Sequence, residues 1–417
     1  MCTQHAKSKP KLWQTAAIYT VAILLGIYSG LSGIEWLQNI GLAVSEIFVN
    51  IFKFLSLPLI ALSLIVTITN YSNAGAMGKM SRKILSYTFG TTIIAALVAC
   101  GLYLLLSPSS PNLTGLAEPM EHAHTVSYVK HISKLIPTNL LEPFLHHQVM
   151  SVLFMAIAIG VAILKLPDTN SKTTLINFFK GLHGVYLVLT KWVIAVIPFA
   201  LYGFITASTV QLSQGSDLSG IGTYLTVVVL ANLVQGLIIL PAWLWWNKIS
   251  PIRAMKGMLP ALSMAFFSKS STGTLPVTID AAEKNLNVSP SVSRFVLPLC
   301  TTINMNGCAA FIFTTVIYLM QSNGIEVALP TMLLWTLIAT VAAIGNAGIP
   351  MGCFFLSASL LSGMGVPLAL LGLILPFYTI IDMIETSLNV WSDACVTKVV
   401  DEKMKTADES IPVLQEA

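Results

Sequence analysis

The chain has 417 residues, 55% of them hydrophobic and 10% charged, with a formal net charge of +4 and a mean hydropathy of +0.78. That balance excludes a soluble protein of average composition. Basic loops facing the cytoplasm account for the small positive excess, so no nucleic-acid partner is expected.

In chain order, a short basic N-terminus, MCTQHAKSKPKLWQ, leads into LWQTAAIYTVAILLGIYSG. This run is longer than a signal-peptide core and lacks a clear cleavage site, so a retained first span is expected. IFVNIFKFLSLPLIALSLIVTI, ILSYTFGTTIIAALVACGLYLLL and IGTYLTVVVLANLVQGLIILPAWLWW follow. Each reaches the roughly 20 residues that cross a bilayer. SKLIPTNLLEPFLHHQVM, in the region 126–165, carries prolines that predict short broken helices. Six scattered cysteines (Cys2, Cys100, Cys300, Cys308, Cys353, Cys395) show no metal-ligand spacing, and no disulfide framework is expected.

Lys and Arg positions give a topology. Lys7, Lys9 and Lys11 precede the first span, and Lys79, Arg82 and Lys83 separate the second from the third. Lys165, Lys172 and Lys180, then Lys248, Arg253 and Lys256, then Lys398, Lys403 and Lys405 mark later inward-facing segments. Loops 107–125, 211–220 and 321–329 contain neither residue. The alternation predicts an even number of crossings with both termini cytoplasmic, in an inner or plasma membrane.

Two stretches fit no simple span. AFFSKSSTGTLPVT (265–278) and AAIGNAGIPMGCFF (342–355) each place apolar arms around a tip of helix breakers. Such backbone survives at membrane depth only where protein or a cavity satisfies it, so both are read as re-entrant hairpins, one from each side. Between them a span is interrupted at TTINMNGC (301–308). Paired broken elements of opposite direction point to an inverted-repeat transporter with its site near the midplane.

The last hydrophobic segment, LPFYTIIDMIETSLNVWSDACV, contains Asp382, Glu385, Thr386, Asn389 and Asp393. At about 100° per residue all five lie within roughly 60° of Asp382, on one stripe. Carboxylates at membrane depth face a protein interior or a water-filled cavity and mark function. A buried Asp382 needs a cation. The first tip, Ser270, Ser271, Thr272 and Gly273, presents N–H groups of a half-helix start, which attract an anion. Asp393 is a hard oxygen donor of the kind that holds a cation such as Na⁺; the plain alternative is a carboxylate solvated or paired with Lys398. No nucleophile–base arrangement appears among the buried polar groups, so the chain is not expected to be an enzyme. His146 and His147 are read as loop residues.

SKSSTGTLPVT, TTINMNG, NAGIPMG and DxxETxxNxxxD, in this order, with IPTN at 136–139 and KILSYTFGTT at 83–92, resemble the dicarboxylate/amino acid:cation symporter family. That family includes glutamate transporters, neutral amino acid exchangers and bacterial serine/threonine symporters, and the DxxET pattern is most similar to the last. The resemblance implies an all-α membrane protein of eight transmembrane helices and two re-entrant hairpins, with inverted repeats, an elevator mechanism and a homotrimer. It divides the chain into scaffold spans 1 and 2 (1–78), span 3 of the transport domain (79–106), and scaffold spans 4 and 5 (107–215). The remaining transport domain (216–405) and a polar, disordered cytoplasmic tail (406–417) follow.

By resemblance, Asp382 pairs with a substrate ammonium, Thr386 lies near that group, and Asn389 and the Ser271 backbone meet the α-carboxylate. Ala347, Gly348, Ile349 and Pro350 form a gate over the site, in which Met351 and Cys353 replace small residues. One sodium site takes Asp393 with carbonyls of Cys300, Asn304 and Asn389. A second takes Thr302, Met305 and second-hairpin carbonyls. A third would use hydroxyls near Thr91 and Thr92 and an aspartate that here is Asn306, with Thr88 in place of a tyrosine; full three-sodium coupling is therefore not expected. Cys308 replaces a small hydroxylated residue lining the pocket. Acidic-substrate relatives carry an arginine where this chain has Glu385, and an arginine would grip a side-chain carboxylate.

The expected function is sodium-driven symport of a small neutral, serine/threonine-like amino acid, with H⁺ as an alternative coupling ion. The alternatives are an acidic amino acid or C4-dicarboxylate carrier, an anion channel and an intramembrane hydrolase. Lys269 is expected either to pair with Glu385 or to extend towards the cytoplasm.

Overall fold

A computed structural model describes residues 12–70, 78–108, 136–146, 148–213, 220–344, 346, 348 and 351–408. Lys7, Lys9 and Lys11, most of loop 107–125, His147, the centre of loop 211–220, Ala347, Ile349, Pro350 and the tail from 409 lie outside the described residues. Every regular element among the described residues is a helix.

The elements are α1 (Leu12–Leu31), α2 (Glu35–Asn70), α3 (Gly78–Leu106), the single turn α4 (Glu142–Leu145), α5 (Val149–Leu164), α6 (Thr169–Ala195) and α7 (Ile197–Ser213). Then come α8 (Gly220–Trp246), α9 (Pro251–Ser268), α10 (Ser271–Asn285), α11 (Pro290–Ile303) and α12 (Asn306–Ser322). Last are α13 (Leu329–Ile344), α14 (Gly352–Gly363) and α15 (Ala369–Asp408).

Five helices among the described residues are long and apolar enough to cross a membrane, or six if α6 and α7 are one span bent by 58°. The outer faces of α1, α6, α7 and α8 carry exposed large apolar groups, among them Leu24, Tyr28, Trp192, Phe199, Trp245 and Trp246, which in a bilayer meet lipid rather than water. α11 and α12 lie along one line of chain and are the exception: their apolar window is wholly enclosed by protein. Asp168 caps α6, accepting from the N–H groups of Asn170 (3.1 Å) and Ser171 (3.0 Å) and from the Ser171 hydroxyl. The hydroxyl first, then the two amides, hold its carboxyl below the usual carboxylate range.

Two apolar cores are formed. One joins α2, α3, α5, α7, α8 and α12 to α14 and the first half of α15. At its centre Phe52 of α2 meets Phe354 edge-on at 5.6 Å and stacks on Phe204 at 6.1 Å. Gly372 lets α15 lie against Phe204, where a Cβ would come within 2.1 Å of the ring. The second core joins α9, α10, α11 and the second half of α15.

Helix breaks have local causes. Lys269 adopts the left-handed conformation (φ 54°) and ends α9, and the Ser270 hydroxyl then caps α10 by accepting from Gly273 N (3.0 Å). The turn is thus confined to two residues of 265–278. The interruption predicted over 301–308 narrows to Asn304 and Met305, since α11 runs through Ile303 and α12 starts at Asn306. α8 holds a π turn, Gln235–Ile239, a local widening frequent at functional sites. Among its described residues, the region 126–165 contains one broken turn, α4, but then a regular 16-residue helix, α5. The tail expected to be disordered from 406 is helical to Asp408; Lys405 ties this end down by donating to the Asn287 carbonyl at 3.1 Å.

Candidate functional site: a buried polar centre

The five stripe residues of α15 are all buried: Asp382, Glu385, Thr386, Asn389 and Asp393 are at most 5% exposed. They face protein rather than lipid, and Asp382, Glu385, Asn389 and Asp393 each meet one of the broken elements.

Asp382 accepts a hydrogen bond from the Met351 amide (3.3 Å). Met351 is left-handed (φ 62°) and starts α14, so a helix N-terminus points at this carboxylate. Thr386 donates to the Asp382 carbonyl (2.7 Å), a bond within its own helix. Glu385 accepts from Tyr378 (3.3 Å) through one oxygen, while its other, Oε1, is buried without a partner. Gly307 permits this closeness: a Cβ there would lie 2.8 Å from Glu385 Cα and 2.9 Å from Asn232 Oδ1. Lys269 forms no ion pair with Glu385 among the described residues.

Asn389 accepts from Gly307 N (2.9 Å) and turns its amide towards Met305 Sδ and Cys308 Sγ, each at 3.5 Å. Asp393 is fully buried and accepts from Asn304 Nδ2 (2.9 Å). Its Oδ2 has no partner. Lys398 pairs with Glu402 at 2.5 Å, which removes the plain alternative of an Asp393–Lys398 pair. The Cys300 carbonyl caps the end of α11 by accepting from Asn304 N (2.8 Å). A carbonyl has a second lone pair, so it is still able to face a cation. Thr302 donates its hydroxyl back to Leu299 O (2.8 Å).

Asn304 and Asn306 link α3 to this centre. Thr91 donates to Asn304 Oδ1 (3.0 Å), and Asn306 Nδ2 donates to the same oxygen (2.9 Å) and to the Thr91 and Thr92 hydroxyls (3.4 Å each). Gln235, in the π turn, closes the network by donating to Asn306 Oδ1 (2.7 Å) and the Thr91 carbonyl (3.1 Å).

The two hairpin tips meet. Ser270 Oγ donates to the Gly348 carbonyl (3.4 Å). Gly348 has φ +63°, and a Cβ on it would come within 2.7 Å of Thr301 O, 3.1 Å of Thr272 Oγ1 and 3.2 Å of Ser271 Oγ. Ile349 lies outside the described residues. Cys308 and Cys353 are joined as a disulfide, with Cα atoms 5.4 Å apart; this is one cross-link where no framework was expected. His146 lies beside the single turn α4, away from this centre.

Sequence reasoning did not single out Tyr378, Gln235, Ser392 or Asn346. Ser392 accepts from Asn304 Nδ2 (2.9 Å), and Asn346 Nδ2 lies 2.9 Å from Cys308 Sγ and 3.4 Å from Cys353 Sγ. Gln235 alone offered a signal, as an amide within a long apolar run.

The arrangement has a carboxylate that accepts a backbone amide at Asp382, an acceptor without a partner at Glu385, and another at Asp393. A small zwitterion and a hard cation match these groups; no nucleophile is activated. The sodium:dicarboxylate symporter family matches residues 16–403. A Caenorhabditis elegans protein named as a sodium-dependent excitatory amino acid transporter is 26% identical over 408 residues, covering 85% of this chain and 81% of that protein. The rabbit neutral amino acid transporter B(0) is 26% identical, over 84% of this chain and 71% of its own length. The human neutral amino acid transporter A is also 26% identical, over 84% and 73%. These are transporters and not enzymes. The chain is accordingly a multi-pass membrane transporter and belongs to the sodium:dicarboxylate symporter family.

Proposed function

We propose that the chain is a secondary symporter that moves a small neutral amino acid of the serine/threonine type with sodium. The observation that carries the choice of substrate is Glu385, fully enclosed beside Asp382 with one oxygen lacking a donor. A second substrate carboxylate would be repelled there, whereas a substrate hydroxyl supplies the missing hydrogen bond. Asp382 takes the substrate ammonium, Asn389 and the start of α10 take its carboxylate, and Thr386 lies beside the ammonium.

Sodium is the second cargo. The donor set fits it: the Asp393 oxygen without a partner, with carbonyls of Cys300, Asn304 and Asn389, is a hard oxygen group. Thr302, Met305 and the second hairpin form the second proposed site. At the third, the Asn306 amide directs its hydrogens at Thr91 and Thr92, where a cation would want oxygens. Two sodium ions are therefore proposed rather than three.

The contact between hairpin tips at Gly348 supports a gate that closes over cargo. Eight spans, inverted repeats, an elevator movement of 79–106 and 216–405 against the rest, a homotrimer, and both termini in the cytoplasm complete the proposal. The two helix–turn–helix units on either side of the enclosed α11–α12 line support it.

The test is counterflow in proteoliposomes over a panel of amino acids, with and without a sodium gradient. Sodium-dependent serine or threonine exchange is expected; exchange indifferent to sodium would reject the proposal. Glu385→Arg separates the acidic-substrate reading. It is expected to lose serine exchange and gain aspartate exchange, because the arginine supplies a bidentate carboxylate partner; aspartate exchange already present in the parent would overturn the neutral assignment. Gly348→Ala forces an alanine into a left-handed conformation that costs about 1–2 kcal/mol. Apparent serine affinity is expected to fall by roughly tenfold, read from the concentration dependence of exchange, with sodium affinity falling alongside.

A further inference from the structure

Cys308 at the start of α12 and Cys353 at the start of α14 are 45 positions apart in sequence, yet their side chains converge on Glu385. The two sulfurs and a Glu385 oxygen all lie within 4.8 Å of one another, and all three residues are buried. Two further features point to a ligand. Glu385 Oε1 has no hydrogen-bond partner although it is enclosed. Asn346 directs its amide at both sulfurs, the kind of outer donor that orients and stabilises thiolate ligands. Two thiolates and a carboxylate are a donor set for a thiophilic divalent ion, bound tetrahedrally with one position left open.

We propose that the reduced Cys308 and Cys353 thiols, with the Glu385 carboxylate, form a binding site for a thiophilic divalent cation such as Zn²⁺ or Cd²⁺. Binding releases the two thiol protons to solvent and forms two metal–sulfur bonds and one metal–oxygen bond. Because Cys353 belongs to the second hairpin and Glu385 to α15, the ion ties the gate to the stripe. The disulfide form has no thiolate to offer and does not bind. Its two thiolates select a thiophilic ion, so it is distinct from the all-oxygen Asp393 group, and it stands whatever the transported substrate.

The experiment titrates Cd²⁺ into the purified full-length protein, reduced with dithiothreitol and desalted, without amino acid present. Sulfur-to-metal charge-transfer absorption is the readout. The expected result is one Cd²⁺ per chain and a complete loss of the band in Cys353→Ser and in Cys308→Ser. Cys395→Ser should retain it, and Glu385→Gln should keep the band with affinity weakened by roughly tenfold or more. A second arm needs no substitution: diamide, which takes the two thiol hydrogens and becomes the hydrazine, is expected to abolish the band in the parent protein. Dithiothreitol should restore it. Absence of the band in reduced parent protein whose thiols titrate as free overturns the proposal, as does a band that survives diamide or Cys353→Ser.

Discussion

Asp382→Asn is expected to abolish sodium-driven serine exchange while leaving the folded protein intact. Its Oδ2 accepts one bond, from Met351 N, and an asparagine oxygen serves that bond equally. What disappears is the charge facing the substrate ammonium. Removing one member of a buried, hydrogen-bonded charge pair costs about 2–5 kcal/mol, a loss of roughly 30- to 4,000-fold in affinity. Raising sodium should not rescue it. The check is serine binding and exchange by a variant that elutes as the parent does on size exclusion; near-parental affinity would remove Asp382 from the substrate site.

Asp393→Asn should fail differently. The bond from Asn304 Nδ2 to Oδ1 survives in the variant, but the carboxylate that faces sodium through its unpartnered Oδ2 is gone. The half-saturating sodium concentration should rise by roughly 30-fold or more. At high enough sodium, serine affinity should return towards the parental value, because the amino acid contacts are untouched. The check is the sodium dependence of exchange in parent and variant. An unchanged half-saturating concentration would assign Asp393 a structural role.

The polar centre was legible in sequence where charge contradicts its surroundings. Asp382, Glu385 and Asp393 stand out in an apolar run, and their spacing fixes a common face from helix geometry alone. Gly and Ser at 268–273 likewise announced a break between α9 and α10. Partner choice was not legible, because it depends on tertiary placement. Lys269 and Glu385 are complementary in charge, yet Lys269 sits at the left-handed turn that ends α9, and no ion pair joins the two among the described residues. Cys308 and Cys353 look unrelated at a separation of 45 residues and meet only because the second hairpin folds back onto α12. Tyr378 reads as an apolar helix residue until its hydroxyl is found on Glu385. Asn306 was readable as a changed residue, but not the amide chain from Gln235 through Asn306 to Asn304 that accompanies it. The bend after Ala195 has no proline at the break itself; Pro198 follows it, in the first turn of α7.

These carboxylates are proposed to be filled together, so serine and sodium must help each other bind. Calorimetric titration of serine into the detergent-purified protein, at low and at saturating sodium with ionic strength held constant, measures this directly. The expected result is a serine Kd lowered by sodium, and a sodium Kd lowered by serine by the same factor, as linkage requires. A serine Kd that is the same with and without sodium would contradict the account.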